Sequence, residues 1–73
     1  MRRFRTLDLH GAPHEEGEFL VEKFITSNLD RLPVKVITGH STIFIEMTKE
    51  IALKYGLRCS PERGVNFGCW VVF

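Results

Sequence analysis

The sequence predicts an α/β fold, a two-layer sandwich with a four-stranded mixed sheet and both helices on one face. Two segments with helical periodicity alternate with short β-branched segments, which gives the order β-α-β-α-β-β. Right-handed crossovers that advance in one direction place both helices on the same face of the sheet. A chain of 73 residues suffices for one small domain, so residues 1–73 are treated as a single unit.

The first strand is predicted over residues 5–9 and the first helix over about residues 14–29. Gly11 ends the strand, and Pro13 suits the first position of a helix. The charged residues Glu18, Glu22 and Lys23 are expected on a solvated face. Apolar residues at three- and four-residue spacing predict the buried face of this helix: Leu20, Val21, Phe24, Ile25 and Leu29.

The second strand is predicted over residues 34–38, because this segment is short and β-branched. A loop rich in capping residues follows, and then a second helix over about residues 43–55. Glu50 and Lys54 are spaced for a favourable i,i+4 pair, and Gly56 suits the end of the helix. The predicted core stripe of this helix consists of Phe44, Met47, Ile51 and Tyr55.

The last part of the chain predicts two further strands joined by a polar loop. A brief third strand covers residues 57–59, the loop covers residues 60–67, and the final strand covers residues 68–73. The final strand is so apolar that we expect it in the interior of the sheet. The aromatic side chains are assigned to the core: Phe19, Phe24, Phe44, Tyr55 and Trp70.

Composition excludes several classes of protein. A net charge of +1 argues against the broad basic surface of a strong nucleic-acid binder. No run of apolar residues is long enough to span a membrane, and no signal peptide is recognisable, so we expect a cytoplasmic protein. Cys59 and Cys69 lack the spacing of a zinc site. They either face each other across a hairpin or remain reduced thiols, and a cytosolic location favours the thiols.

Polar and ionisable residues follow the first two predicted strands, at residues 7–11 (LDLHG) and 38–42 (TGHST). If these strands are parallel neighbours, both segments lie at one edge of the sheet, where ligands of open α/β sheets commonly bind. Asp8 lies two residues from His10, a spacing suited to acid–base chemistry. The second segment opens a helix, whose free N–H groups suit a phosphate. The sequence therefore predicts a site at this edge.

Each of these residues also has a structural interpretation. Asp8 can simply cap the turn or the following helix, and His10 can be a satisfied structural group. His40 can be a plain loop residue, and Ser41 or Thr42 an N-cap. His14, in the first turn of the first helix, is expected to be exposed and inert. The functional interpretation depends on their coincidence at one edge.

These segments resemble motifs of a known family. Leu7-Asp8-Leu9-His10-Gly11, an acid-rich helix, and Val36-Ile37-Thr38-Gly39 before a second helix are similar to the small MutS-related (Smr) domain. That family carries an LDxH motif on its first strand and an HGxG or TGxG motif after its second. The similarity extends to the final segment, residues 68–73 (GCWVVF). It departs from the family where a second glycine is expected: either Ser41 replaces that glycine after His40, or the glycine loop is shortened by two residues.

The resemblance implies a fold like the C-terminal domain of a bacterial translation initiation factor, nucleic-acid binding and, in several members, endonuclease activity. By position, Asp8 and His10 match the LDxH motif, and Thr38 and Gly39 match the first half of TGxG. His10 is then expected to act as general acid or base, with Asp8 orienting it or holding a divalent metal, and His40 as a second proton donor.

The predicted nucleic-acid contacts come from two parts of the chain, the segment after the second strand and the arginines near the start. N–H groups of residues 39–42 are expected to neutralise a phosphate oxygen. Three arginines near the start of the chain are expected to hold the flanking backbone electrostatically. The predicted binding residues are Arg2, Arg3, Arg5, Thr38, Gly39, Ser41 and Thr42.

Two other functions compete with a nuclease. One is a non-catalytic module that binds nucleic acid or protein through the same edge and the open sheet face, which the near-neutral charge and the shortened glycine loop favour. The other is a small domain that assembles with a larger protein partner, which the apolar final segment suggests. Nucleic-acid binding without product would indicate the first, and no nucleic-acid binding would indicate the second.

Overall fold

A computed structural model describes residues 4–73 and has the predicted order of elements. The elements are β1 (Thr6–Asp8), α1 (His14–Thr26), β2 (Val34–Ile37), α2 (Thr42–Lys54), β3 (Cys59–Glu62) and β4 (Asn66–Val72). The strands form one mixed sheet in the order β1-β2-β4-β3. β1 and β2 are parallel, whereas β4 runs antiparallel to both of its neighbours. The predicted two-layer α/β sandwich is therefore confirmed.

The two faces of the sheet differ because side chains alternate along each strand. On the covered face, below the helices, Val34, Val36 and Val72 are fully buried. On the opposite face, here the open face, Lys35 and Ile37 are only half-buried. β4 lies between β2 and β3, so the predicted interior position of the last strand is confirmed.

Helix α1 ends at Thr26, three residues earlier than predicted. After the helix, the side-chain amide of Asn28 donates to the Phe24 carbonyl at 2.7 Å. The Asn28 side chain is buried, at the point where the prediction buried Leu29. Leu29 is 45% exposed, so its place in the buried stripe was wrong. Phe19 is 66% exposed, and its assignment to the core was also wrong. It lies two residues, more than half a turn, from the buried Val21 and so points outward.

Helix α2 begins at Thr42, one residue earlier than predicted, and Ser41 is its N-cap. The helix packs against α1 where Gly17 leaves room for the Phe44 ring, because a β-carbon at position 17 would overlap that ring. The i,i+4 spacing predicted that Lys54 pairs with Glu50. Lys54 instead forms an ion pair with Glu22 of α1 at 2.7 Å. The hydrogen bond that Lys54 donates to the Glu22 carboxylate raises the pKa of Lys54 above its ordinary value. Glu22 therefore links the helices instead of lying on a purely solvated face.

The β3–β4 hairpin is longer than predicted. Residues 60–62 belong to β3 and residues 66 and 67 to β4, which leaves only residues 63–65 as the turn. Pro61 was read as a loop residue, but β3 is an edge strand, where a missing N–H is tolerated. Cys59 pairs with Val72 and Cys69 with Ile37, so the thiols lie on opposite faces of the sheet and are free. Among residues 4–73, no helix is long and apolar enough to cross a membrane.

Candidate functional site

The parallel pairing of β1 and β2 brings both predicted segments to one edge of the sheet. Asp8 pairs with Ile37, and the ladder continues past β1 because the Leu9 N–H donates to the Ile37 carbonyl at 2.9 Å. Neighbouring strands are about 4.8 Å apart, so the segments that follow β1 and β2 leave the sheet side by side. We call residues 8–12 the first exit and residues 38–42 the second exit.

The first exit is a local turn. Asp8 Oδ1 accepts a hydrogen bond from the His10 backbone N–H at 2.9 Å, and the Ala12 N–H donates to the Leu9 carbonyl at 3.0 Å. Gly11 has a φ of 81°, which glycine adopts without strain. The Asp8 carboxylate thus caps the turn, as its structural interpretation proposed. In the described part of the chain it makes no hydrogen bond to the His10 imidazole, which is exposed.

The second exit is tied to β4. The N–H groups of Thr38 and Gly39 both donate to the Gly68 carbonyl at 3.0 Å. Thr38 is 3% exposed, and its hydroxyl donates to the Gly39 carbonyl at 3.0 Å. Gly39 passes so near Gly68 that a β-carbon on Gly68 would lie 3.6 Å from its Cα. Thr38 and Gly39 therefore position the exit, and their N–H groups are already bonded.

The start of α2 offers the unbonded donors at this edge. The Ser41 hydroxyl accepts the Phe44 N–H at 3.2 Å, as its N-cap interpretation proposed. The preceding N–H groups, those of residues 40–43, have no acceptor within residues 4–73. Together with the helix dipole, they create a positive electrostatic environment at this edge. The predicted donors were those of residues 39–42, but the Gly39 N–H is bonded to the Gly68 carbonyl, and Ile43, which was not predicted, contributes the fourth donor.

His10 and His40 lie in the two exits, and His14 lies at the start of α1, which follows the first exit. His40 is exposed, and its imidazole forms no hydrogen bond to any residue the structure describes. His14, in the first turn of α1, is exposed as predicted, but its ring lies edge-on to the Phe44 ring with centroids 5.0 Å apart. His10 and His40, one on each exit, are therefore the imidazoles left free for chemistry.

Arg5, the one predicted arginine contact among the described residues, is not part of this edge. Arg5 precedes β1, and its carbonyl accepts the Lys35 N–H at 2.9 Å, beside the start of β2. The first exit lies beyond the other end of β1, about 10 Å further along the strand. Arg2 and Arg3 lie outside the described residues. Arg5 could contact only a ligand that extends along the sheet.

Three further ionisable groups in the sheet have shifted pKa values. Lys35 pairs with Glu62 at 2.5 Å across β4, and this bond, with a second from Asn66, lowers the pKa of Glu62. Burial raises the pKa of the Cys59 thiol to about 11 and also raises that of Cys69, so neither is an activated nucleophile. Within residues 4–73, no group of three or more histidine, cysteine or acidic side chains is arranged to hold a metal ion.

Comparisons with protein-family models, with curated proteins and with solved structures find no match to this chain.

Proposed function

We propose that this chain is an Smr-like nucleic-acid-binding domain that holds a backbone phosphate between its two strand exits and cleaves the adjoining phosphodiester bond. The observation that carries the proposal is the parallel pairing of β1 and β2, which puts His10 and His40 on neighbouring exits. The resemblance of LDLHG and the following TG segment to the Smr motifs supports the same function. The two free thiols are consistent with the cytoplasmic location that we propose.

In this proposal the N–H groups of residues 40–43 bind a non-bridging phosphate oxygen. They are unbonded within residues 4–73, they lie at the start of a capped helix of 13 residues, and the dipole of that helix favours negative charge there. Thr38 and Gly39 act indirectly, because their bonds to Gly68 hold the segment in place. Asp8 likewise shapes the first exit through the His10 backbone.

The two imidazoles supply the proton transfers. With RNA as substrate, one neutral imidazole accepts the proton of the ribose 2′-hydroxyl, and the resulting oxygen attacks phosphorus. The other imidazole, protonated, donates its proton to the departing 5′-oxygen. The bond to that oxygen breaks, which leaves a cyclic phosphate and a 5′-hydroxyl. General acid–base catalysis of this kind contributes about 100-fold to 10,000-fold in rate.

The test is a cleavage assay on labelled single-stranded RNA, duplex DNA and branched DNA, with and without EDTA. We expect product from the wild type and a loss of about 100-fold or more in His10→Ala and His40→Ala. His14→Ala is the matched control, because its ring packs on Phe44 and takes no part in the proposed chemistry. Circular dichroism of each variant confirms folding.

The outcomes separate the competing functions. An RNA with one 2′-deoxy nucleotide at the cleaved position should resist cleavage there if the 2′-hydroxyl is the nucleophile. Equal product from the wild type and both histidine variants would overturn the catalytic assignment. Salt-sensitive binding without product would make the domain a recognition module at the same edge. Absence of any nucleic-acid binding would overturn the proposal and favour assembly with a protein partner.

A further inference from the structure

A groove of about 530 Å³ runs between α1 and α2 and meets the second exit at Thr42. Its floor is apolar and consists of Ile43, Met47 and Ile51. Ile43 is 50% exposed, although its neighbours in the floor are largely covered. A second hollow along α1 shares Glu18 and Glu22 with this groove and includes the exposed Phe19 ring. Contiguous apolar surface, such as the floor of this groove, marks interaction sites more often than scattered exposed residues do.

The rim of the groove is acidic. Glu18 lies on one side, and Glu46 and Glu50 lie on the other. None of these three carboxylates has an ion-pair partner within the described residues. Glu22, the fourth, is bound to Lys54. The groove therefore combines an apolar floor with three carboxylates that are free to pair with an incoming cation.

The helix layer as a whole has the opposite charge to the rest of the chain. The two helices contain six glutamates and three lysines, a net charge of −3. The remaining residues contain seven arginines and lysines and three carboxylates, a net charge of +4, although the whole chain carries only +1. This separation disfavours nucleic acid on the helices and favours a cationic partner there.

The groove follows α2 from Thr42 to Lys54, which is the full length of this 13-residue helix, about 20 Å. A third helix is the element that fills such a groove, with an apolar stripe on the floor and charged residues at the rim. We propose that the groove between α1 and α2 binds a basic amphipathic helix of a protein partner, beside the nucleic-acid edge, from which its carboxylates are distinct.

The test uses a fluorescent amphipathic peptide of leucine and lysine, about 14 residues long to match the helices, in an anisotropy titration. We expect binding that weakens as salt increases, and no binding of the same peptide with glutamate in place of lysine. The triple variant Glu18→Gln, Glu46→Gln, Glu50→Gln should weaken binding about tenfold. Ile43→Ser should also weaken peptide binding, because it removes apolar surface from the floor of the groove. Glu16→Gln is the matched control, because this α1 glutamate does not line the groove.

Several results would overturn this inference. One is equal affinity of the triple variant and the wild type, and another is equal affinity for the acidic peptide. Amide shifts in NMR spectra should locate the peptide at Met47 and its neighbours, and shifts confined to the strand exits would contradict the assignment. Sedimentation of the chain alone provides a further check, because self-association abolished by the triple variant would make the occupant a second copy. Nucleic-acid binding by the triple variant, measured in parallel, should be undiminished.

Discussion

The two strand exits end at the same edge of the sheet but are held in different ways. The first exit is held by its own residues, since Asp8 caps the His10 N–H and the Leu9 side chain is fully buried beneath it. The second exit is held by another strand, since Thr38 and Gly39 both donate to the Gly68 carbonyl of β4. β1 is an edge strand with one neighbour, whereas β2 lies between β1 and β4.

The comparison shows how the motif residues divide their roles. Asp8 and Thr38, the polar residues nearest the strands, are bonded to backbone and fix its course. His10 and His40, the residues further out, keep their imidazoles free of hydrogen bonds to residues 4–73. The second exit is therefore the more firmly held of the two, and the first exit is the more adjustable.

The largest expected effect is at Leu9, which anchors the first exit. Leu9→Ala removes a fully buried side chain and should lower the free energy of unfolding by about 2–4 kcal/mol. A domain of this size has only a few kcal/mol of stability, so the variant should be largely unfolded. Urea denaturation followed by circular dichroism measures the loss. Ile43→Ala, at a half-exposed position, is the control and should change stability by about 0.5 kcal/mol or less. Equal stability of the two variants would contradict the anchoring role of Leu9.

The next effect compares the two exit glycines. Gly39 has a φ of 61° and Gly11 a φ of 81°, and a β-carbon at either position would meet no atom within 4 Å. Alanine in this conformation costs about 1–2 kcal/mol at each site. We expect Gly39→Ala to reach the upper end, because two bonds to Gly68 prevent the second exit from shifting. Thermal unfolding of both variants tests the order, and a larger loss in Gly11→Ala would reverse our view of which exit is fixed.

A smaller effect compares the capping side chains of the two exits. Ser41→Ala removes the N-cap of α2 and should cost about 1 kcal/mol of unfolding free energy. Asp8→Asn should cost almost nothing, because an amide oxygen accepts the same His10 N–H. Thr42→Ala is the control, since its exposed hydroxyl caps no group in the described residues. A large loss in Asp8→Asn would mean that the charge itself holds the first exit.

The fold was predictable to a large extent because local pattern and global topology agree. The apolar period of Val21 and Ile25 and the β-branched run of β2 each indicated one element, and crossover handedness placed the helices. The hairpin was misjudged because Pro61 is typical of loops, and only the position of β3 at the sheet edge makes it a strand residue. Phe19 was misjudged because hydrophobicity alone does not tell which side of a helix a residue faces.

The candidate site was predictable in its location but not in its bonding. Strand order and spacing were sufficient to bring residues 7–11 and 38–42 to one edge. The bond partners of Thr38 and Gly39 were not predictable, because their common acceptor, Gly68, lies about 30 residues away in the chain and meets them only through the antiparallel pairing of β4 with β2. The Lys54–Glu22 pair was missed for the same reason, since it joins two different helices.

The smallest expected effect concerns pH and a further difference between the two strands. β2 is linked across β4 to β3 by the Lys35–Glu62 pair, whereas no described ion pair reaches β1. The bond from Lys35 lowers the pKa of Glu62 below its ordinary value of 4.5, so the pair stabilises the fold above that pH and is lost as pH falls through the lowered pKa. The urea midpoint of the wild type should therefore exceed that of Glu62→Gln at neutral pH, and the two should converge in acid. Glu16→Gln, an α1 carboxylate without an ion pair, should parallel the wild type. A constant difference between the wild type and Glu62→Gln at all pH values would show that β2 and β3 are joined by packing rather than by this charge pair.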